Sequence, residues 1–309
     1  MEISVIIPIF NEEGNIPVLY KRLVPVLNTI SSSYEIIFVN DGSGDKSLEK
    51  IKSLRKINNK VKFLSFSRNF GHMAALDAGL SAAKGKYVII MDADLQDPPE
   101  AIEEMYKKSK KGFDVVYGIK RKRKEALLKR ILFKSFYRII NSISAYKMPL
   151  DAGTFSLMNR KVVDILLSLP EKNKYLSGLR SWVGFSQTGI VYSRGARYSG
   201  KPTTFRRLIK LALDGMISFS YLPLRIASLL GFTFATIAFI FIFIVFVLRI
   251  FFQAGIVGWA STMSAILLIG GIQLITLGII GEYLARIYDE VKNRPEYIIL
   301  EKEGLEENI

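Results

Sequence analysis

The chain contains no cysteine and a single histidine, His72. The first absence excludes a disulfide framework, a thiolate nucleophile and any cysteine-based metal site. The second excludes a multi-histidine zinc centre. Acidic residues are also scarce: 28 Asp and Glu stand against 43 Lys and Arg in 309 residues, a formal net charge of +15. Such a balance favours anionic partners. Two long apolar segments after Leu224 turn that expectation towards lipid headgroups and phosphates rather than nucleic acid. The opening residues lack a basic leader, and their apolar run is broken by Pro8 and then Asn11-Glu12-Glu13. They are expected to form a buried strand rather than a signal peptide, with the polar part of the chain in the cytoplasm. Internal repeats and low-complexity segments are absent.

Strand and helix signals alternate through the first hundred residues. β-branched or apolar runs at 3–9, 34–39, 61–65 and 87–91 predict strands, and 16–30, 48–57 and 69–83 predict helices. Alternation of this kind implies an α/β fold with a mostly parallel sheet covered on both faces. Ligands of such sheets bind beyond the carboxyl ends of the strands. Four polar clusters fall at those ends: Phe10-Asn11-Glu12, Asn40-Asp41-Gly42, Ser67-Arg68-Asn69 and Asp92-Ala93-Asp94.

From Lys120 to Arg138 the chain is strongly basic, relieved only by Glu125. A solvated helix face accounts for most charge runs; a loop and helix that hold phosphates near a membrane is the alternative. Residues 203–225 alternate Arg206, Arg207 and Lys210 with apolar residues, which suits an amphipathic helix at a membrane surface. Ile226 to Leu248 carries no charge over 23 residues, roughly 35 Å of helix, enough to span a bilayer core. A second uncharged stretch, 250–281, predicts a second span, and Trp259 a possible interfacial anchor. Basic residues concentrate before the first span while Arg249 stands alone between the two. Both termini are therefore expected in the cytoplasm and the protein multi-pass in the plasma membrane. The expected organisation is a catalytic domain over 1–202, a juxtamembrane segment over 203–225, a two-helix hairpin over 226–285 and a cytoplasmic tail over 286–309.

The strongest chemical signal is Asp92-Ala93-Asp94-Leu95-Gln96-Asp97-Pro98-Pro99 behind an Ile-Ile strand. Two carboxylates spaced by one residue at a strand end suit Mg²⁺ or Mn²⁺, which take oxygen ligands and share them with substrate phosphates. The chain at this point resembles glycosyltransferase family 2, in its polyprenyl-phosphate and dolichol-phosphate branch. The resemblance extends over Val5 to Glu13, Val39 to Ser43, Ser67 to Gly71, Asp92 to Pro99 and Gly271 to Tyr283. It implies a GT-A catalytic domain that moves a sugar, with inversion, from a UDP-sugar to a polyprenyl phosphate. It implies that Pro8, Phe10 and Glu12 line the nucleoside pocket and that Val39 and Asp41 read the base. Ser67, Arg68 and Asn69 would border the donor, together with Ala93 in the acidic loop. Asp92 and Asp94 would be catalytic residues: Asp94 and Gln96 would hold metal, with Asp92 also a metal candidate that contacts sugar or ribose, and Arg197 would reach the diphosphate. Phe10 as plain core is the competing assignment.

Two positions depart from the pattern. Relatives place an acid where this chain has Thr154, with Asp151 three residues earlier; either residue is a candidate for the catalytic position. A lipid phosphate with a second pKa near ~6 is already anionic at neutral pH and needs no strong base. His72 stands where several relatives carry Lys. A processive polysaccharide synthase is disfavoured, because Leu179-Arg180-Ser181-Trp182 lacks the Gln-x-x-Arg-Trp pattern. A non-catalytic adaptor on a transferase fold is disfavoured by the Asp92/Asp94 pair. Two membrane helices also make self-association plausible.

Overall fold

A computed structural model describes residues 1–120, 152–171, 174, 176–193, 222–252 and 258–306. Most of the basic stretch after Lys120, Asp151, Arg197, the amphipathic segment up to residue 221 and Gly255 lie outside the described residues. The chain divides into two compact units: Met1–Leu208 with Pro295–Ile309, and Ile209–Arg294.

The first unit opens with β1 (Ile3–Ile9), α1 (Asn15–Ile30), β2 (Tyr34–Asn40), α2 (Ser47–Ile57), β3 (Val61–Phe66), α3 (His72–Ala82) and β4 (Tyr87–Ile90). These match the elements expected from hydrophobic patterning to within one residue, except at the start of α3. It continues with α4 (Ala101–Ser109), β5 (Val115–Lys120), β6 (Ala152–Asn159), α5 (Arg160–Ser168), α6 (Leu176–Trp182), β7 (Gln187–Tyr192) and, after the second unit, β8 (Ile299–Glu303).

The eight strands among the described residues form one sheet in the order β7-β5-β6-β4-β1-β2-β3-β8. β3, β2, β1 and β4 are mutually parallel, while β6 runs antiparallel to β4 and β5, and β8 antiparallel to β3. The sheet is therefore mixed: the four strands legible in the sequence are parallel, and β5 and β7 form a second parallel pair at the far edge. The segment expected as a tail supplies β8, a strand whose charged composition carries little apolar signal.

Both faces of the parallel strands are covered, which explains their near-continuous apolar runs. Ile3, Val5, Ile7 and Ile9 of β1 belong to the main core with Ile16, Leu19, Leu23 and Leu27 of α1 and Ile102 and Met105 of α4. Each fully buried residue of this kind contributes about 1.5–3 kcal/mol. α3 packs on β1 and β2. Its Ala- and Gly-rich sequence permits close approach: a Cβ on Gly79 would lie 2.3 Å from Cγ2 of Ile6.

The described residues of the second unit form α7 (Leu222–Phe252) and α8 (Trp259–Val291), which contact each other. Among the described residues one helix is long and apolar enough to cross a membrane by length and composition, through Leu268–Ala285; the qualifying apolar run of α7, Ala227–Phe241, is shorter.

Candidate active site

Because β1 to β4 are parallel, their carboxyl ends share one edge of the sheet. Phe10, Asp41, Ser67 and Asp92 each follow a strand there. The loops after β1 and β2 are stitched together. Asn11 donates its backbone N–H to Oγ of Ser43 (3.0 Å) and accepts from Gly44 N at Oδ1 (2.8 Å). Glu12 N donates to Oγ of Ser47 (2.9 Å). Asn11 adopts φ 56°, a left-handed conformation that Asn tolerates better than most residues.

Phe10 is 47% exposed and so does not belong to the core. Glu12 is half-buried beside it, whereas Pro8 and Val39 are buried within β1 and β2 and support the edge from beneath. Ser67, Arg68 and Asn69 are exposed on the loop after β3.

Asp41 organises that loop. Its Oδ1 accepts from Phe70 N (2.6 Å) and Gly71 N (3.2 Å), and its Oδ2 from Gly71 N (3.0 Å). Asn69 Nδ2 donates to the Asp41 carbonyl at 3.3 Å. These bonds, and Gly71 at φ 103°, explain why α3 begins at His72 instead of Asn69. Burial pushes the Asp41 carboxyl above the usual carboxylate range, opposed by the Phe70 and Gly71 N–H groups and by His72.

The turn is close-packed as well. Gly42 has φ +63°, and a Cβ there would stand 2.3 Å from the Arg68 carbonyl carbon and 2.6 Å from Asn69 N. Gly42→Ala is therefore expected to lower stability by at least about 2 kcal/mol, from backbone strain plus displacement of the neighbouring loop. Gly44→Ala, with nothing within 4 Å of its Cβ, should stay within about 0.5 kcal/mol of wild type. Paired thermal or denaturant unfolding curves measure the contrast.

Beyond β4 the chain alternates in burial. Asp92, Asp94 and Gln96 are partly exposed; Met91, Ala93, Leu95 and Asp97 are buried. Three oxygen-bearing side chains are thus spaced along the exposed side of one short loop. Asp94 Oδ1 accepts from Gln96 N at 3.1 Å. Leu95 between them has φ 60°, a strained conformation costing about 1–3 kcal/mol, and its buried side chain pins the turn. Asp92 Oδ1 is buried without a hydrogen-bond donor; His72 Nε2 lies 3.6 Å from it. His72, at the start of α3, thereby joins the loop after β3 to the acidic loop.

Asp97 is 1% exposed, accepts a hydrogen bond from the Tyr192 hydroxyl, and has its carboxyl raised chiefly by burial. Lys120 lowers it and Asp92 and Asp94 raise it further. Tyr192 and Lys120 are paired in register at the ends of β7 and β5. Asp97 lies within the motif singled out from the sequence; its partners do not, because only the folded sheet brings β5 and β7 beside the acidic loop. Thr154 reaches the same edge. Ile90 pairs with Ser156 in antiparallel register, so Thr154 lies beyond the end of β4, half-exposed.

The donor set fits a divalent cation that shares its ligands with a substrate. Among the described residues no group of three or more His, Cys, Asp or Glu side chains could hold a metal by itself. Two carboxylates, one with a buried oxygen lacking a hydrogen-bond donor, leave room for phosphate oxygens to complete the shell.

A Rossmann-like mixed sheet with an acidic loop at the edge where its parallel strands end is the GT-A arrangement of glycosyltransferases. Comparison with known proteins identifies the group. The profile described as glycosyl transferase family 2 matches residues 4–167, and one described as the GtrB C-terminal hairpin matches residues 222–287. The uncharacterized glycosyltransferase YkcC of Bacillus subtilis is 43% identical, covering 99% of this chain and 95% of its own. The uncharacterized glycosyltransferase sll0501 of Synechocystis is 42% identical over 99% of this chain and 97% of its own. The SfII prophage-derived bactoprenol glucosyl transferase of Shigella flexneri is 41% identical over 97% of each chain. The chain belongs to glycosyltransferase family 2, and it is a glycosyltransferase.

Proposed function

We propose that this enzyme transfers glucose from UDP-glucose to a polyprenyl phosphate, with inversion and with Mg²⁺ or Mn²⁺ bound at Asp92, Asp94 and Gln96. The observation that carries this reading is the outward alternation of those three side chains at the edge where β1 to β4 end. The glucose and the lipid acceptor follow the name of the Shigella flexneri relative, similar over almost its whole length. When bound, the cation neutralises the diphosphate leaving group.

The protein's own groups do the rest. Phe10 and Glu12 hold the nucleoside on the β1 side, and Asp41 acts on the base side through the loop it fixes. Ser67, Arg68 and Asn69 border the sugar-nucleotide, with Ala93 beneath it, and Arg197 contributes a cation to the diphosphate. A phosphate oxygen of the acceptor attacks C1 of the sugar from the face opposite the leaving group. The new C1–O bond forms as the C1–O bond to UDP breaks, and UDP departs with the electron pair. The attacking oxygen is already anionic, so Thr154 or Asp151 need only orient the phosphate. The two helices of the second unit form a membrane-spanning hairpin, with the catalytic domain on the cytoplasmic side and the acceptor headgroup at the bilayer surface.

The decisive measurement is a donor screen. Purified full-length protein is incubated with undecaprenyl phosphate, a divalent cation and radiolabelled UDP-sugars, and label is followed into the lipid phase. UDP-glucose is expected to label the lipid, and EDTA to stop it. No transfer from any UDP-sugar, or undiminished transfer in EDTA, contradicts the proposal.

A further inference from the structure

We infer that the C-terminal segment is a positioning element of the donor site and that Tyr297 is its principal residue, an inference resting on the donor site proposed above. Ile299–Glu303 covers the β3 edge, where Lys52 pairs with Glu301 (2.7 Å) and Arg55 with Glu303 (3.3 Å). Covering an exposed edge is a sufficient reason for a strand at this place. It does not account for Tyr297 and Ile298, which precede the strand and meet the end of β3 and the loop that follows.

The Tyr297 ring stacks on Phe66 with centroids 5.0 Å apart and planes 15° apart. Phe66, the last residue of β3, is 2% exposed and meets Phe70 edge-on at 5.7 Å. The Arg68 guanidinium lies 4.3 Å from the centre of the Phe70 ring. A continuous row, Tyr297–Phe66–Phe70–Arg68, therefore runs from the C-terminal segment into the loop that borders the donor. Ser67 N adds a direct bond to the Ile298 carbonyl at 3.0 Å.

The loop is gripped from two sides. Asp41 holds Phe70 and Gly71 by their N–H groups, and Tyr297 with Ile298 holds Phe66 and Ser67. Neither Tyr297 nor Ile298 is assigned a contact with substrate. They fix the backbone that carries Ser67, Arg68 and Asn69, and a small misplacement of such residues is costly in affinity and rate.

Tyr297→Ala and Tyr297→Phe in the full-length enzyme test this. The Phe variant keeps the ring stack and gives up only the hydroxyl's hydrogen bond with Ser81, so its KM for UDP-glucose should stay within about 2-fold of wild type. The Ala variant is expected to raise KM for UDP-glucose by about 10-fold while KM for undecaprenyl phosphate stays within about 2-fold. Amide hydrogen exchange across residues 67–71 should accelerate by about 10-fold in the Ala variant alone. Unchanged exchange in that loop overturns the brace. Accelerated exchange with an unchanged donor KM, or with both KM values rising together, overturns its role in the donor site. If the wild-type enzyme labels no lipid, the donor assignment fails, and the exchange comparison still decides whether Tyr297 holds the loop.

Discussion

Asp92→Asn and Asp94→Asn are each expected to lower kcat/KM for sugar transfer by about 10³-fold or more, corresponding to about 4 kcal/mol of lost transition-state stabilisation. Both changes remove one charge and almost no volume. Asp94 uses Oδ1 to accept from Gln96 N, and Asn retains that acceptor, so the Leu95 turn survives. Asp92 has a buried oxygen without a hydrogen-bond donor and His72 Nε2 at 3.6 Å. Its neutral analogue loses little that holds the fold together. Stability should therefore stay within about 1 kcal/mol of wild type, because the side chains are part-exposed and the His72–Asp92 contact that weakens is long. Activity and stability separate under this test. Transfer assays at saturating cation, beside melting curves, provide the measurement. Retention of more than about a tenth of wild-type activity by Asp94→Asn would remove the carboxylate from the charge-neutralising role described above.

The parts of this site that were legible in the sequence are those built from local signals. β1 to β4 announce themselves because each is a short apolar run, buried on both faces and closed by a polar cluster. Their parallel order then places Phe10, Asp41, Ser67 and Asp92 at one edge. The start of α3 is misplaced because Asn69 and Phe70 carry no helix breaker of their own; the distant Asp41 holds their loop, through its carbonyl to Asn69 and its carboxylate to Phe70 and Gly71. β5 to β8 were not legible as strands. β7 and β8 mix apolar with polar or charged residues, and their pairing is decided by distant partners such as Phe63 with Glu303. The same reason hides the Tyr192–Asp97 contact and the Tyr297–Phe66 stack. Hydropathy shows two uncharged stretches; among the described residues the first lies within α7 and residues 259–281 of the second within α8, and the stricter test of length and composition is met through Leu268–Ala285.

At the opposite end of the strands lies a polar group whose removal has a comparably large effect, on stability instead of chemistry. Glu35 is fully buried in β2, paired across the strand with Ser4 of β1. Its Oε1 accepts from Ser4 Oγ (2.5 Å) and Lys84 N (2.8 Å), and Lys62 Nζ lies 2.6 Å from Oε2. Lys62→Met leaves that buried carboxylate without its cation and should cost about 3–5 kcal/mol. For a unit of this size the melting temperature would fall by roughly 10 °C. The double variant Glu35→Gln with Lys62→Met removes both charges. It should recover about half of the loss, because the remaining penalty is one poorly satisfied amide at about 1–3 kcal/mol. Glu35 and Lys62 belong to strand positions that precede the carboxyl edge. Their variants should therefore transfer sugar normally per folded molecule, measured below the lowered melting temperature. Equal destabilisation by the single and double variants would show that side-chain packing, rather than a stranded charge, sets the cost. The contrast with Asp92 and Asp94 follows from burial and partnership. A carboxylate enclosed with its cation specifies the fold, whereas carboxylates left partly open at the end of parallel strands are available to a substrate.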